Sequence, residues 1–306
     1  MTESSRRVGT RPAPSDRVAP VRVTFDGVGG IALAGDRRGP SDAPPVVFLH
    51  GGGQTRHSWG GTASAVAERG WQAITLDARG HGETEWPPNG DYRLSSFAGD
   101  VERVLETLDR PAVLIGASLG GLTSILLVGE RAPRNVDGVV LVDIVPDMEP
   151  AGADRIQQFM ARNARTGFAS LEEAADAIAE YNPHRPRPKD LSGLEKNLRM
   201  RDGRWYWHWD PRFIGGTADF PPSEIHDVPR LEAAVDAILG RGLPMMLVRG
   251  RVSDLVSEQK AAAFLARFPT VEFTDVSGAG HMVAGDRNDA FTVAVVDFLS
   301  RHHPAR

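Results

Sequence analysis

The sequence contains no cysteine. This absence excludes disulfide bonds, thiol catalysis and metal sites built on thiolates, and it fits a reducing compartment. Long apolar runs are also missing, since no stretch approaches the roughly 20 residues that a membrane-spanning helix needs. We therefore expect a cytoplasmic protein without a membrane span.

An excess of positive charge is absent as well. The 35 Lys and Arg residues stand against 40 Asp and Glu residues, so the formal net charge is -5. Because proteins that bind nucleic acids usually present a basic surface, we expect no nucleic-acid partner. The hydrophobic share of 41% is ordinary for a globular protein and argues against a wholly disordered chain.

A chain of 306 residues can hold two average domains, or one large α/β domain with an inserted lid. Residues 1–20 are rich in Ser, Pro and Arg, and no apolar stretch follows the pair Arg6 and Arg7. We therefore predict a disordered tail rather than a signal peptide. From Val21 onward, short β-rich runs alternate with helical stretches, which predicts a doubly wound α/β domain.

Eight short runs are strand candidates. The first two, residues 21–25 and 31–34, flank the pair Gly29 and Gly30 and predict a hairpin. The other six are residues 46–49, 73–76, 112–115, 139–142, 245–248 and 271–274. Because several of these runs are almost entirely apolar, they are typical of strands buried on both faces of a mostly parallel sheet.

The alternation stops after the sixth strand candidate. Helical patterns there cover residues 155–164, 171–181 and 231–239. We interpret residues 147–242 as an all-helical lid inserted between two strands. Residues 21–146 and 243–306 are then the two parts of the core domain.

The strongest catalytic signal is the run Gly-Ala-Ser-Leu-Gly-Gly at residues 116–121, directly after a strand candidate. A serine nucleophile on a sharp strand-to-helix turn needs tiny residues two positions before and after it. Gly116 and Gly120 occupy those positions. The helix that follows directs its N-terminal dipole at Ser118, which favours negative charge there. We therefore predict that Ser118 is a catalytic nucleophile.

A second signal is the His-Gly-Gly-Gly run at residues 50–53, at the end of another strand candidate. Acyl transfer needs two backbone N–H donors aimed at the developing oxyanion. Leu119, next to Ser118, would supply one donor. Gly52 would supply the other, because glycine lets the backbone approach the substrate. An ordinary glycine turn is the alternative, but the combination with Ser118 favours an oxyanion hole.

Two further features complete a family pattern: Trp59, nine residues after His50, and the Asp-Ala-Arg-Gly-His-Gly run at residues 77–82. With the serine turn, they make the chain resemble the α/β-hydrolase superfamily from about Val21 to the C-terminal helix. The resemblance implies an eight-stranded sheet with a cap after the sixth strand. It also implies a structural role for residues 77–82. These motifs are shared widely, so they indicate the fold better than the substrate.

In this family the nucleophile is followed along the chain by an acid and then by a histidine. His281, after the last strand candidate, matches the catalytic histidine. Asp254, after the strand candidate at residues 245–248, matches the usual acid. Asp143 is the alternative acid, because some family members keep their carboxylate at the end of the preceding strand.

The sequence thus predicts a serine hydrolase that cleaves a carboxylic ester or related acyl compound through an acyl-enzyme, without a cofactor. No histidine–carboxylate cluster indicates a metal site. Trp205, Trp207 and Trp209 are concentrated in the predicted lid, and we expect them to line a pocket for a small apolar ester-like substrate. The alternative is that these aromatic residues only anchor the lid to the body.

Several related activities remain open. Lactone hydrolysis, carbon–carbon bond hydrolysis and perhydrolysis use the same triad within the family. Epoxide hydrolases share the cap architecture but carry an aspartate where Ser118 stands. A ligand-binding sensor that retains the triad is an alternative of another class. The sequence predicts neither the natural substrate nor the oligomeric state.

Overall fold

The computed structural model describes residues 19–182, 187, 190–217, 219, 227–277 and 289–305. The predicted tail, residues 1–20, lies almost entirely outside the described residues, and His281 lies outside them as well. None of the helices that the structure describes has both the length and the apolar character needed to cross a bilayer.

The described residues form ten strands and nine α-helices. The strands are β1 Val21–Asp26, β2 Ala32–Arg38, β3 Pro45–Leu49, β4 Gln72–Leu76, β5 Ala112–Ala117, β6 Val136–Val142, β7 Leu198–Arg201, β8 Arg204–Trp207, β9 Met245–Gly250 and β10 Glu272–Val276. The helices are α1 Gly60–Glu68, α2 Leu94–Glu106, α3 Leu119–Leu126, α4 Pro150–Ala161, α5 Leu171–Tyr181, α6 Arg212–Gly215, α7 Val228–Gly240, α8 Glu258–Arg267 and α9 Asp289–His302. All eight predicted strands are present.

Eight strands form one sheet in the order β1-β2-β4-β3-β5-β6-β9-β10. The strand β2 is antiparallel to β1 and β4, and the other neighbouring strands pair in parallel. The predicted doubly wound, mostly parallel sheet of eight strands is therefore confirmed. Because parallel strands end at a common edge, the carboxyl ends of β3, β5, β6 and β9 bring their loops together.

Helices cover both faces of this sheet, which explains the apolar strand sequences. In β3, Val47 and Leu49 face a core shared with α2, α3 and α7, whereas Val46 and Phe48 face a second core shared with α1 and α9. Successive side chains of a strand point to opposite faces. Every residue of β3 is consequently buried, as are those of β4 and β5.

The segment between β6 and β9, called the insertion below, contains the three predicted helices as α4, α5 and α7. The prediction of an all-helical insertion was wrong in one respect, because β7 and β8 form an antiparallel hairpin. Its turn contains Asp202 and Gly203, both with positive φ, and an Asp-Gly pair is a strong hairpin signal. The strand β8 is Arg-Trp-Tyr-Trp, a composition that suits a strand.

The helix α7 packs with the body of the protein. Leu231, Val235 and Ile238 belong to the same core as α3, and the backbone of Ala234 lies against Gly129. A Cβ added at Gly129 would lie 2.4 Å from the Ala234 carbonyl oxygen, so this contact is close. The helix α7, inside the predicted lid at residues 147–242, thus shares a core with the body, and the bounds of the lid stay a prediction.

Candidate active site

Ser118 lies at the sharp turn between β5 and α3. Its backbone angles are φ 46° and ψ -114°, a conformation that residues other than glycine rarely adopt. A Cβ at Gly116 would lie 2.3 Å from the Gly120 carbonyl oxygen, and one at Gly120 would lie 2.3 Å from the Leu49 carbonyl oxygen. Both glycines are therefore required by packing. The turn holds Ser118 in a strained conformation at the carboxyl edge of the sheet.

The glycine turn after β3 lies directly beside Ser118. A Cβ at Gly51 would lie 3.3 Å from the Cβ of Ser118. The Gly51 N–H donates to Gln54 Oε1 at 3.0 Å, and the Gly53 N–H donates to His81 Nε2 at 3.1 Å. The hydrogen bonds among the described residues do not use the Gly52 N–H. This donor is therefore available for a substrate oxygen.

Leu119 is the first residue of α3. The first N–H groups of a helix have no partner within the helix, and they carry the positive end of its dipole. The Ser118 carbonyl accepts hydrogen bonds from the Gly121 N–H at 2.9 Å and the Leu122 N–H at 3.0 Å, which fixes the start of the helix. The structure thus places both predicted oxyanion donors, Gly52 and Leu119, at the turns that flank Ser118.

Two buried histidines join the glycine turn to the loop after β4. The Ala78 N–H donates to His50 Nε2 at 3.0 Å, and His50 Nδ1–H donates to the Gly51 carbonyl at 2.8 Å. In the same manner His81 Nε2 accepts from Gly53, while its Nδ1–H donates to the Arg79 carbonyl at 2.9 Å. These bonds require neutral imidazoles. Burial lowers the pKa of both rings, that of His81 to about 3.

We expect the His81 ring to make the fold less stable at acid pH. The unfolded chain takes up this proton below a pKa of about 6.5, whereas the folded chain resists it down to about 3. The free energy of unfolding should fall by about 2 kcal/mol from this group between pH 7 and pH 5. His81→Gln should be less stable at pH 7 but should lose less stability on acidification. Urea unfolding at the two pH values measures both effects, and equal losses in the two proteins would contradict this expectation.

Asp143 follows β6 and is fully buried, with φ 52°. Its Oδ1 accepts from the Gly250 N–H at 3.0 Å, and its Oδ2 accepts from the Ser253 hydroxyl at 2.6 Å. The preceding residue, Val142, accepts a hydrogen bond from the Ser118 N–H at 3.2 Å. The Asp143 carboxylate is thus held in one orientation at the sheet edge that carries Ser118.

Asp254, the acid that the sequence predicts, lies in a different environment. Its side chain is 39% exposed, and its Oδ2 pairs with Arg155 Nη1 of α4 at 2.6 Å. The structure brings Asp254 to the loop after β9, as expected, but its carboxylate contacts the insertion. His281, the predicted base, lies outside the described residues.

A cavity of about 240 Å³ opens above Ser118, between the sheet edge and the insertion. The glycine turn and the start of α3 form its floor. Its walls come mainly from apolar residues of α4, α5, β8 and α6 and from the segment between β8 and α6. These residues are Ile156, Phe159, Met160, Ile178, Tyr181, Trp207, Trp209, Phe213 and Ile214. None of the described lining residues carries a charge.

The three predicted tryptophans occupy different positions. Trp207 lines the cavity and packs edge-to-face against Phe159 and Phe168, with ring centroids 5.7 and 5.2 Å apart. Trp209 also lines the cavity, and its backbone forms a bridge with His81, so it joins the insertion to the body. Trp205 is not among the described lining residues and forms a backbone bridge with Phe168.

The wall also contains residues other than the three predicted tryptophans. Phe213 lies over the glycine turn, where a Cβ at Gly52 would be 3.2 Å from its ring. Met160 lies over Gly53 in the same manner. The apolar face of the helix predicted at residues 155–164 was a usable signal for Ile156 and Met160. The signal for Phe213 was its place just after the aromatic run at residues 205–209.

The charged residues of the run at residues 77–82 have buried structural contacts. Arg79 makes two hydrogen bonds to Asp100, each of 2.7 Å, and one to the Asp91 carbonyl at 3.0 Å. Asp77 pairs with Arg56 and accepts a hydrogen bond from its backbone N–H at 2.6 Å. These contacts fix the loop that carries His81, in agreement with the structural role expected for this run.

Comparisons with known proteins agree with this fold. A family model described as alpha/beta hydrolase fold matches residues 44–287. The esterase Rv0045c of Mycobacterium tuberculosis is 32% identical over 254 residues, which cover 80% of this chain and 79% of that protein. The sn-1-specific diacylglycerol lipase ABHD11 of Mus musculus is 27% identical over 274 residues, which cover 86% of this chain and 83% of that protein.

Solved structures show the same fold. A structure of the M. tuberculosis esterase Rv0045c covers 92% of this chain and 92% of its own, with 30% identity and a TM-score of 0.70. The crystal structure of E-2-(acetamidomethylene)succinate hydrolase covers 92% of this chain and 100% of its own, with 22% identity and a TM-score of 0.77. The latter likeness concerns the fold alone. The chain therefore belongs to the α/β-hydrolase fold family, as an esterase-like hydrolase.

Proposed function

We propose that this protein is a serine hydrolase that cleaves neutral carboxylic esters with an apolar acyl group. The observation that carries the proposal is the position of Ser118, in a strained turn on the floor of an apolar cavity and beside the glycine turn at residues 51–53. The names of the relatives, an esterase and a diacylglycerol lipase, support ester hydrolysis. The absence of cysteine fits a cytoplasmic location, which forms part of the same proposal.

In the proposed mechanism, the Ser118 hydroxyl attacks the ester carbonyl while His281 takes its proton. The N–H groups of Gly52 and Leu119 stabilise the oxyanion of the tetrahedral intermediate. His281 then donates the proton to the leaving alcohol, and an acyl-enzyme remains on Ser118. Water activated by His281 releases the carboxylic acid. The role of His281 rests on its place in the sequence.

The acid that orients His281 stays a prediction, and the contacts favour Asp143 over Asp254. An orienting carboxylate has to be rigid and shielded from water, because it selects one imidazole tautomer and stabilises its cation. Asp143 is buried, and two hydrogen bonds hold its carboxylate. Asp254 is partly exposed and is paired with Arg155. We therefore propose Asp143 as the acid and keep Asp254 as the alternative that mutation tests.

The cavity lining indicates the substrate class. With no charged side chain among the described lining residues, the cavity offers no counter-ion for an acyl group that carries a charge. Aromatic and aliphatic walls favour an apolar chain of moderate size. Polar lining residues such as Gln54 and Asn197 offer hydrogen bonds rather than ion pairs. Hydrolysis of p-nitrophenyl esters of increasing acyl length tests the proposal. Consistent preference for a charged acyl group would contradict it.

The positions of the tryptophans predict how this preference changes on mutation. Trp207→Ala should lower kcat/KM for the longer acyl esters about tenfold or more relative to the shortest ester, because we expect the longer chains to contact the ring that is lost from the cavity wall. A hydrophobic pocket distinguishes each methylene by about 1–3 kcal/mol, so the change should be graded along the series. Steady-state kinetics over the acyl series provide the measurement.

Trp205→Ala is the matched control for this prediction. Both tryptophans belong to β8, but Trp205 is not among the described residues that line the cavity. We expect the control to lose thermal stability while keeping the wild-type order of acyl preference. Identical profiles for wild type, Trp207→Ala and Trp205→Ala would show that the β8 tryptophans are structural anchors only.

A further inference from the structure

Asp254 lies where the body of the protein meets α4 of the insertion. Its carboxylate pairs with Arg155 of α4 at 2.6 Å. The backbone of the same residue is in close contact with Gly152, where a Cβ would lie 2.1 Å from the Asp254 carbonyl oxygen. The Glu149 N–H also donates to the Leu255 carbonyl at 2.9 Å. The loop after β9 therefore holds the first turns of α4 through both backbone and side-chain contacts.

Arg155 continues this connection to α5. Its Nη2 donates to the Tyr181 carbonyl at the end of α5, and its guanidinium lies 5.0 Å from the centre of the Tyr181 ring. The Tyr181 ring stacks on Phe159 of α4, with ring centroids 4.2 Å apart and an angle of 16° between the planes. One arginine thus joins the loop after β9 to an aromatic pair shared by two helices.

This aromatic pair forms part of the proposed acyl cavity. Phe159 and Tyr181 both line the cavity, as do Ile156, one turn earlier in α4, and Leu255, next to Asp254. A displacement of α4 relative to the loop after β9 would therefore change the width of the cavity. Ser118 and the glycine turn belong to the edge of the sheet and not to α4.

We propose that Arg155 and Asp254 form a clamp that positions the Phe159–Tyr181 wall and so determines which acyl groups the enzyme accepts. This inference rests on the proposed function. In it, Asp254 is a positioning residue for specificity and has no contact with the reacting atoms. The two side chains are 48% and 39% exposed. An ion pair of that exposure adds little to the free energy of unfolding, and salt weakens it. We therefore expect its loss to change the acyl specificity more than the stability.

The test compares wild type, Arg155→Met, Asp254→Asn and the double variant in kcat and KM over the acyl ester series. We expect each single variant to reduce the discrimination between short and long esters by about 3- to 10-fold, mainly through KM. The double variant should lose no more discrimination between short and long esters than either single variant, because the two substitutions remove the same interaction. Asp254→Glu, which keeps the charge, should restore most of the wild-type profile.

Salt gives a second readout that a general loss of stability would not produce. Raising the salt concentration to about 1 M should move the wild-type acyl profile towards that of Arg155→Met, because exposed ion pairs are screened. The profile of Arg155→Met itself should not change. Salt responses of equal size in the two proteins would overturn the clamp.

Other results would also overturn the clamp. A loss of kcat by orders of magnitude on every ester in Asp254→Asn, but not in Arg155→Met, would make Asp254 the acid of the triad. Additive effects of the two substitutions on kcat/KM, with an unchanged order of acyl preference, would likewise contradict the clamp. A wild-type protein that hydrolyses no ester in the series would contradict both the proposed function and the clamp. If the wild-type protein is active but the variants do not show the expected changes, only the clamp is contradicted.

Discussion

Replacement of Ser118 by alanine is expected to lower kcat for ester hydrolysis about 10⁴-fold or more, because the variant lacks the hydroxyl that forms the acyl-enzyme in the proposed mechanism. The backbone strain at φ 46° remains in this variant, since alanine tolerates that conformation no better than serine. Stability should therefore change little. Stopped assays with p-nitrophenyl acetate and a thermal melt of the same preparation measure the two quantities.

Ser118→Gly separates catalysis from stability at the same position. Glycine adopts positive φ without strain, and relief of such strain is worth about 1 kcal/mol. We expect this variant to be as inactive as Ser118→Ala and yet more stable than wild type. Near-normal kcat in either variant would contradict the assignment of the nucleophile.

The second large effect is expected at Asp143. Asp143→Asn should lower kcat by about 10³- to 10⁴-fold, because an amide at this position would favour the wrong tautomer of the catalytic histidine. Asp254→Asn should stay within about tenfold of wild type, since its partner is Arg155 of the insertion. Parallel kinetics of the two variants on the shortest ester compare the two acids directly.

Two controls accompany the comparison of Asp143→Asn with Asp254→Asn. Asparagine keeps an oxygen that can accept from the Gly250 N–H, so a melting curve checks that Asp143→Asn remains folded. Ser253→Ala removes the hydroxyl that donates to Asp143 Oδ2 and should cause a smaller loss of kcat, about tenfold. A large loss in Asp254→Asn with little change in Asp143→Asn would return the acid to the position first predicted from the sequence.

Much of the fold could be predicted from the sequence because its signals are local. The apolar runs of β3 to β6 mark strands buried on both faces, and helical periodicity marks α5 within the same bounds, residues 171–181. The hairpin of β7 and β8 was missed because four-residue strands have no clear period. The Asp202–Gly203 pair was the available signal. The partner of α7 could not be inferred, because an apolar helix face does not specify which surface covers it.

The parts of the candidate site that could be predicted are the residues whose position is set by the turn that contains them. Ser118 follows β5 between two glycines that the packing requires, and Gly52 follows β3 within a run of three glycines. The choice between Asp143 and Asp254 could not be made in this way, because both follow strands that end at the same edge. It depends on contacts between distant segments, such as Ser253 with Asp143 and Arg155 with Asp254. Such pairs leave no periodic signal in the sequence.

The most direct measurement is the site of covalent labelling by a fluorophosphonate, which reacts with activated serine nucleophiles. Wild-type protein should take up one phosphonyl group, and peptide mass spectrometry should locate it on Ser118, with loss of ester turnover in proportion to labelling. Ser118→Ala and Ser118→Gly should remain unlabelled. Labelling of a different residue, or equal labelling of wild type and Ser118→Ala, would contradict the assignment of Ser118 as the nucleophile.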